Sequence, residues 1–145
     1  LVRRDADPLS IIAREHARTA AAADAGAADP VALGGWLAGR VRFAVLVPAL
    51  PGAALRGARV YERDGWRGAA LEYDVGGIPL SYVVVPSDES GDEEPARFHH
   101  TRRGGYGVVS WRERGLLHVL VGDFTDEELA RLAKACVAQR GQARA

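Results

Sequence analysis

Methionine is absent from this 145-residue chain, and cysteine occurs once, as Cys136. A single cysteine excludes an internal disulfide and any zinc cage built on cysteine pairs, and it suits a reducing cytosol or a periplasm equally. Its expected task is to fill a helix face. A chain without Met that opens on Leu1 is expected to follow a segment that was removed or left out, as in a fragment or mature form. Long apolar runs are missing too. The uncharged stretch from Phe43 to Leu55 is interrupted by Pro48 and Pro51 and is too short to span a bilayer. No signal peptide or transmembrane segment is read in what remains. Charge of one sign is also lacking, because 19 basic residues balance 19 acidic ones and the pI is near 7.1. Such a chain has no overall field to attract phosphate backbones, so nucleic acid is not an expected partner.

What is present suits one ordered domain over residues 1–145, with 48% hydrophobic and 26% charged residues. In "DPLSIIAREHARTAAAADAG", Asp7 reads as an N-cap, Pro8 as the first helical residue and Gly26 as the stop, which predicts a helix over 8–24. Its apolar stripe of Leu9, Ile12, Ala13 and His16 is narrow, as in a helix that leans weakly on its neighbours or continues an upstream one. Asp29 and Pro30 repeat the start signal for a short helix with Leu33, Trp36 and Leu37 on one face, loosened by Gly34 and Gly35. Val41 to Val47 reads as a strand halted by Pro48.

From Leu55 onward the period changes to two. Strands are predicted at 55–63 and 66–74 around an Asp64-Gly65 turn, at 78–86 after "VGG", at 97–102, and as a hairpin of 106–113 and 115–122 turned at Arg114 and Gly115. "SDESGDEEPA", residues 87–96, is the clearest loop. Thr125 with Glu128 forms a capping box for a last helix over 125–140 bearing Leu129, Leu132, Ala133 and Cys136 on its apolar face, followed by a flexible tail at 141–145. The fold class is α+β: an antiparallel meander of five to seven strands, two N-terminal helices and one C-terminal helix, with helices against one sheet face. The 106–122 hairpin carries apolar residues on both faces, so its second face needs cover from the first helices or from a second subunit in a homodimer.

Three groups of residues invite chemistry. Ser110, His118 and Asp123 contain the types of a hydrolytic triad, and a small hydrolase is the enzyme-class reading of the chain. Yet the hairpin register puts Ser110 with Tyr106 and Val108, and His118 with Leu116 and Leu120, and no G-x-S-x-G elbow surrounds the serine. His99 and His100 adjoin Asp88, Glu89, Asp92, Glu93 and Glu94, a set that zinc or copper can use in a metal-responsive periplasmic binding module. Adjacent strand residues point to opposite faces, which disfavours shared ligation. Gly104, Gly105 and Gly107 lack the Lys-Ser/Thr ending of a phosphate loop. His16 reads as a satisfied packing histidine, and Trp36, Trp66 and Trp111 as core or interface anchors.

The order of phrases carries more. "REHAR" is followed by "DPVALGGWLAGRVRFAVLVPAL", then by "LRGARVYERDGWRGAALEYDVGGIPLSYVVVP", then by "GYGVVSWRERGLLHVLVGDFTDEELARLA". Across residues 8–135 this series resembles the extracytoplasmic domain of the transmembrane anti-sigma factors of proteobacteria, most specifically at Trp36, Pro48, Gly57, Arg59, Tyr106 and Trp111. Family members often carry His and Lys where this chain has Val31, Ala32, Gly34 and Gly35, so no metal role passes through that stretch. The resemblance implies a non-catalytic sensor on the periplasmic face of the inner membrane. It implies a cytosolic domain holding a sigma factor, one transmembrane helix upstream, and residues 1–26 as a juxtamembrane helix leading into an α+β core at 27–140. Signalling would be a shift of conformation, ligand state or oligomerisation passed through residues 1–26 to control sigma-factor release in a stress response.

Overall fold

Tight turns set the register of the sheet. At Arg114 and Gly115 the backbone runs through two consecutive left-handed residues, φ 57° and 73°, the twist that a two-residue hairpin needs. Gly76-Gly77 and Gly104-Gly105 repeat the device. The structure, a computed structural model, describes residues 7–19, 29–63, 66–87 and 96–144. The predicted Asp64-Gly65 turn, the acidic loop at 88–95 and the expected helix end at 20–24 lie outside the described residues, as does the side chain of Trp66.

Among the described residues, three helices and six strands follow in the order α1 (Pro8–Thr19), α2 (Pro30–Ala38), β1 (Ala53–Arg63), β2 (Trp66–Val75), β3 (Ile78–Pro86), β4 (His99–Arg103), β5 (Tyr106–Glu113), β6 (Leu116–Gly122) and α3 (Asp126–Arg144). This is the expected α+β class. All six strands join one antiparallel sheet in the order β1-β2-β3-β6-β5-β4, two three-stranded meanders fused where β3 pairs with β6. The final helix outruns its predicted end at residue 140 and continues to Arg144, where a flexible tail was expected.

Two expectations are corrected. Helices do not gather on one sheet face: α1 covers one side, packing Ile12 and Ala13 onto Tyr61, Ala70, Val83, Val108, Val119 and Val121. On the other side α2 and α3 bring Leu33, Leu37, Leu129, Leu132 and Cys136 onto Leu71, Tyr73, Tyr82, Trp111 and Leu120. The physical reason is the composition of β3, β5 and β6, which bury residues of both parities and so require two covers. Of the two covers expected, the first helices or a second subunit, α1 supplies one.

Nor is 41–47 a strand. Residues 44–50 run without regular structure, with Val41 and Leu50 buried and Phe43, Val45 and Val47 packed on the core. Side chains take the place of a ladder here. Tyr73 Oη donates to the Pro48 carbonyl at 2.6 Å, and the Gln139 amide brackets Ala49, accepting from its N–H at 2.8 Å and donating to its carbonyl at 2.7 Å. Proline at 48 and 51 withholds the N–H groups that a strand would need.

The start of α3 depends on close approach. The capping box forms as predicted, with Thr125 N–H donating to Glu128 Oε1 at 2.8 Å and Glu128 N–H to Thr125 Oγ1 at 3.1 Å. Beneath it Gly107 and Gly122 face each other across β5 and β6. A Cβ on Gly122 would lie 2.7 Å from the Phe124 ring and 2.8 Å from the Pro79 carbonyl, and one on Gly107 would lie 2.7 Å from the Phe124 carbonyl. Gly107→Ala and Gly122→Ala are each expected to destabilise the fold by about 1–3 kcal/mol in urea unfolding. Gly35→Ala, in an exposed helix interior with nothing within 4 Å of the new methyl, should instead gain about 0.5–1 kcal/mol. Equal effects at the three positions would refute the packing account.

Candidate functional site

Where α1 crosses the sheet, the apolar layer is interrupted by a chain of buried polar groups. The Gly76-Gly77 turn pairs Val75 with Ile78, and counting back along both strands places Glu72 directly opposite Ser81. Both side chains point towards α1, and both are buried. His16 enters from above on the same helical stripe as Ile12 and Ala13 and is only 2% exposed.

The three residues form one hydrogen-bonded series. Ser81 Oγ donates to Glu72 Oε1 at 2.6 Å, and His16 Nδ1 lies 2.7 Å from Ser81 Oγ. Since the serine proton is committed to the carboxyl group, the imidazole donates through Nδ1–H and the serine oxygen accepts. The edge of the His16–Tyr106 ring pair completes the setting, with centroids 4.9 Å apart and planes at 85°. Arg59, diagonal to Glu72 across β1 and β2, holds its Nε 4.0 Å from Glu72 Oε2. That distance is too long for a hydrogen bond, and the contact is an ion pair only where Glu72 is ionised.

Burial governs the protonation of this series. Loss of water pushes the Glu72 carboxyl up to about 7, against the opposing pull of the Ser81 hydrogen bond and of Arg59 and Arg56. Loss of water pushes the His16 imidazole down to about 4. Tyr61, beside the same seam, is raised by burial and then by Glu72 and Glu15, and stays protonated. Both ends of the series are therefore neutral near pH 6. At the N-terminal end of α1 a second tie forms. Asp7 caps the helix through Leu9 N–H at 3.2 Å and accepts from Ser10 Oγ at 3.0 Å and Arg103 Nε at 3.1 Å. Burial works against the Asp7 carboxylate, but the bonds to Arg103, Ser10 and Leu9 outweigh it and keep its pKa below the usual value.

Among the described residues, those singled out from sequence lie elsewhere and do not converge. Ser110 pairs with Val119 and faces α1, whereas His118 pairs with Trp111 and faces α2 and α3, so the sheet itself separates them. His118 is a core residue, stacked at 5.3 Å on Trp111 and 2.8 Å from Tyr82 Oη through Nδ1. Asp123 is exposed beyond β6. His99 and His100 are exposed neighbours on β4, pairing with Ser110 and Val109 and so directed to opposite faces. His100 Nδ1 lies 3.8 Å from Asp126 Oδ1. Among the described residues no three His, Cys, Asp or Glu side chains gather as a metal site, and Asp88 to Glu94 lie outside the description.

The family-phrase residues are placed by packing. Trp111 is fully buried, Pro48 is the acceptor for Tyr73, Gly57 follows a register shift in β1, Arg59 faces Glu72, Trp36 lies under Arg40, and Tyr106 meets His16. Glu72 and Ser81 escaped the sequence reading, although the "VGG" turn fixes their pairing and a Glu within an apolar strand is itself a signal. Cys136 fills the α3 face as expected, its thiol pushed up to about 12 by burial. No protein-family model matches this chain, and no curated protein matches it either.

Protonation at the seam has opposite signs at its two ends. The raised carboxyl of Glu72 makes stability fall as pH rises from 4.5 to about 7, and the depressed imidazole of His16 makes it fall as pH drops from 6.5 to about 4. Between about 4.5 and 6.5 the two cancel. Glu72→Gln is expected to leave the His16 dependence exposed, and His16→Asn the Glu72 dependence. Each should show a slope approaching about 1.4 kcal/mol per pH unit, in opposite directions, relative to the double variant. Chemical denaturation across pH 4 to 7 measures this, and a flat profile in both single variants would contradict the neutral-pair assignment.

Proposed function

We propose that this chain is the non-catalytic regulatory domain of a membrane-anchored anti-sigma factor, acting on the periplasmic side of the inner membrane. Docking of α1 on the sheet is its output. The ordered phrases described above support the family reading, and they fall on residues that position the core, so the likeness is one of architecture. The observation that carries the output is the seam itself. It joins a short N-terminal helix to the centre of a sheet through a few apolar side chains, one Asp7–Arg103 pair and one buried polar series.

Such a helix can move as a unit. Undocking exposes Ile11, Ile12 and Ala13 together with Val83, Val108, Val119 and Val121 beneath them, and the return of His16 and Glu72 to water recovers part of that cost. In the family arrangement α1 follows the transmembrane helix, so its docking state is the quantity that the cytosolic, sigma-holding domain can feel.

The test uses the full-length protein in cells that carry a reporter for its sigma factor. Ser81→Ala strips the central partner from two buried groups, at a cost of about 1–3 kcal/mol, and Ile12→Asp places a charge under α1. Both are expected to raise reporter output without stress, with immunoblots confirming that the protein still accumulates in the membrane. Gly35→Ala should leave output unchanged. Identical repression with and without residues 7–144, under every envelope stress applied, would refute the proposal.

A further inference from the structure

Three arginines line one cavity of about 520 Å³, at the end of the sheet formed by the last residues of β1 and the first of β2. Arg40 stands just past the end of α2, Arg42 lies in the segment after it, and Arg67 projects from β2. Phe43 and Pro86 contribute apolar wall. Glu62 is the one acid among the described lining residues, so three cations face one anion, a local excess of two in a chain of zero formal charge.

Two of the cations are held in place. The Arg40 guanidinium lies 4.2 Å from the centroid of the Trp36 ring, and its Nη1 donates to the Trp36 carbonyl at 2.8 Å. Arg67 donates from Nη1 to the Arg40 carbonyl at 3.2 Å and from Nη2 to Glu62 Oε2 at 3.0 Å. Each guanidinium has five N–H donors, so these bonds fix the groups and leave donors unspent. Arg42 is exposed and has no hydrogen-bond or ion-pair partner among the described residues. Planar forks that are positioned in advance suit a carboxylate or phosphate head, since little rotamer freedom remains to be lost on binding.

We propose that this cavity binds a small amphiphilic organic anion, its carboxylate or phosphate head held by Arg40, Arg42 and Arg67 and its apolar body lying against Phe43 and Pro86. The volume falls within the range of small-molecule sites, and a mainly apolar wall with a few convergent polar groups is the usual make-up of such sites. Binding of this kind is a property of the chain alone. It holds or fails whether or not α1 reports to a sigma factor.

Titration of the chain with octyl phosphate and with octanoate, followed by amide chemical shifts, tests this. Inorganic phosphate and octanol serve as the head-only and tail-only probes. At least one amphiphile is expected to shift the amides of residues 40–43, 62 and 67 and to bind about tenfold or more tighter than either half-probe. Arg42→Glu, at a side chain with no partner among the described residues, should weaken binding about tenfold without moving the melting temperature. Shifts confined to other surfaces, octanol binding as well as the amphiphiles, or unchanged affinity in Arg42→Glu would each overturn the site. So would Arg42-dependent binding to phosphatidylglycerol vesicles with no binding of the soluble amphiphiles, which would make this face a membrane contact.

Discussion

The β3–β6 ladder is buried on both sides, and that constraint shapes everything around it. Val83, Val85, Val119 and Val121 need one cover, while Tyr82, Val84, Leu120 and His118 need another. A single chain of this size meets both needs by placing α1 at one face and α2, α3 and the 41–50 segment at the other. The two covers differ in kind. The α3 side is broad and capped, with a ring stack of Tyr82, His118 and Trp111 and the Glu113–Arg140 ion pair at 3.2 Å binding helix to sheet. Among the described residues the α1 side is one helix of 12 residues. Isolated helices so short are marginal in water, so α1 depends on what it touches.

That dependence explains why a polar series in the α1 seam has more consequence than His118 on the opposite side. Both are buried histidines with a hydroxyl partner, His16 at Ser81 and His118 at Tyr82. His118 sits within a layer that includes the long C-terminal helix and cannot be reached without loosening the whole core. His16 belongs to the element whose departure would uncover it. The same local chemistry therefore acts as an internal strut on one face and, in the proposed role, as a latch on the other, a distinction made by topology.

The sequence was most legible where geometry is local. Arg114-Gly115, Gly76-Gly77 and the Thr125–Glu128 box each announce a structure completed within a few residues, and the strands and α3 start follow from them. Legibility failed where partners are distant. The 41–47 stretch has strand composition, yet Ala49 pairs with a Gln139 side chain 90 residues away, and nothing nearby signals that. The face on which each helix lies was equally hidden, because period and caps give a helix its stripe but not its side of the sheet. Of the site, His16 stood out in the sequence only as a packing residue. Glu72 and Ser81, three residues before and four residues after the Val75–Gly77 turn, were concealed within apolar strands, although the turn between them fixes their register.

In the proposed role, the protonation of the seam bears on what kind of signal α1 carries. In water, between the ordinary values of 4.5 and 6.5, the carboxyl of Glu72 is ionised and the imidazole of His16 is charged. Docked, both are neutral. One proton has in effect passed from histidine to glutamate, with none taken from or given to solvent. Docking is thereby uncoupled from bulk acidity over this range, since the linkage of the two groups cancels. It is not uncoupled from local fields. Arg59 and Arg56 already pull against the raised carboxyl, so any further charge brought to the edge formed by β1 would shift the balance between the neutral and ionised pair. Under the proposed role, a latch built this way is insensitive to pH between about 4.5 and 6.5 and sensitive to charge brought beside it.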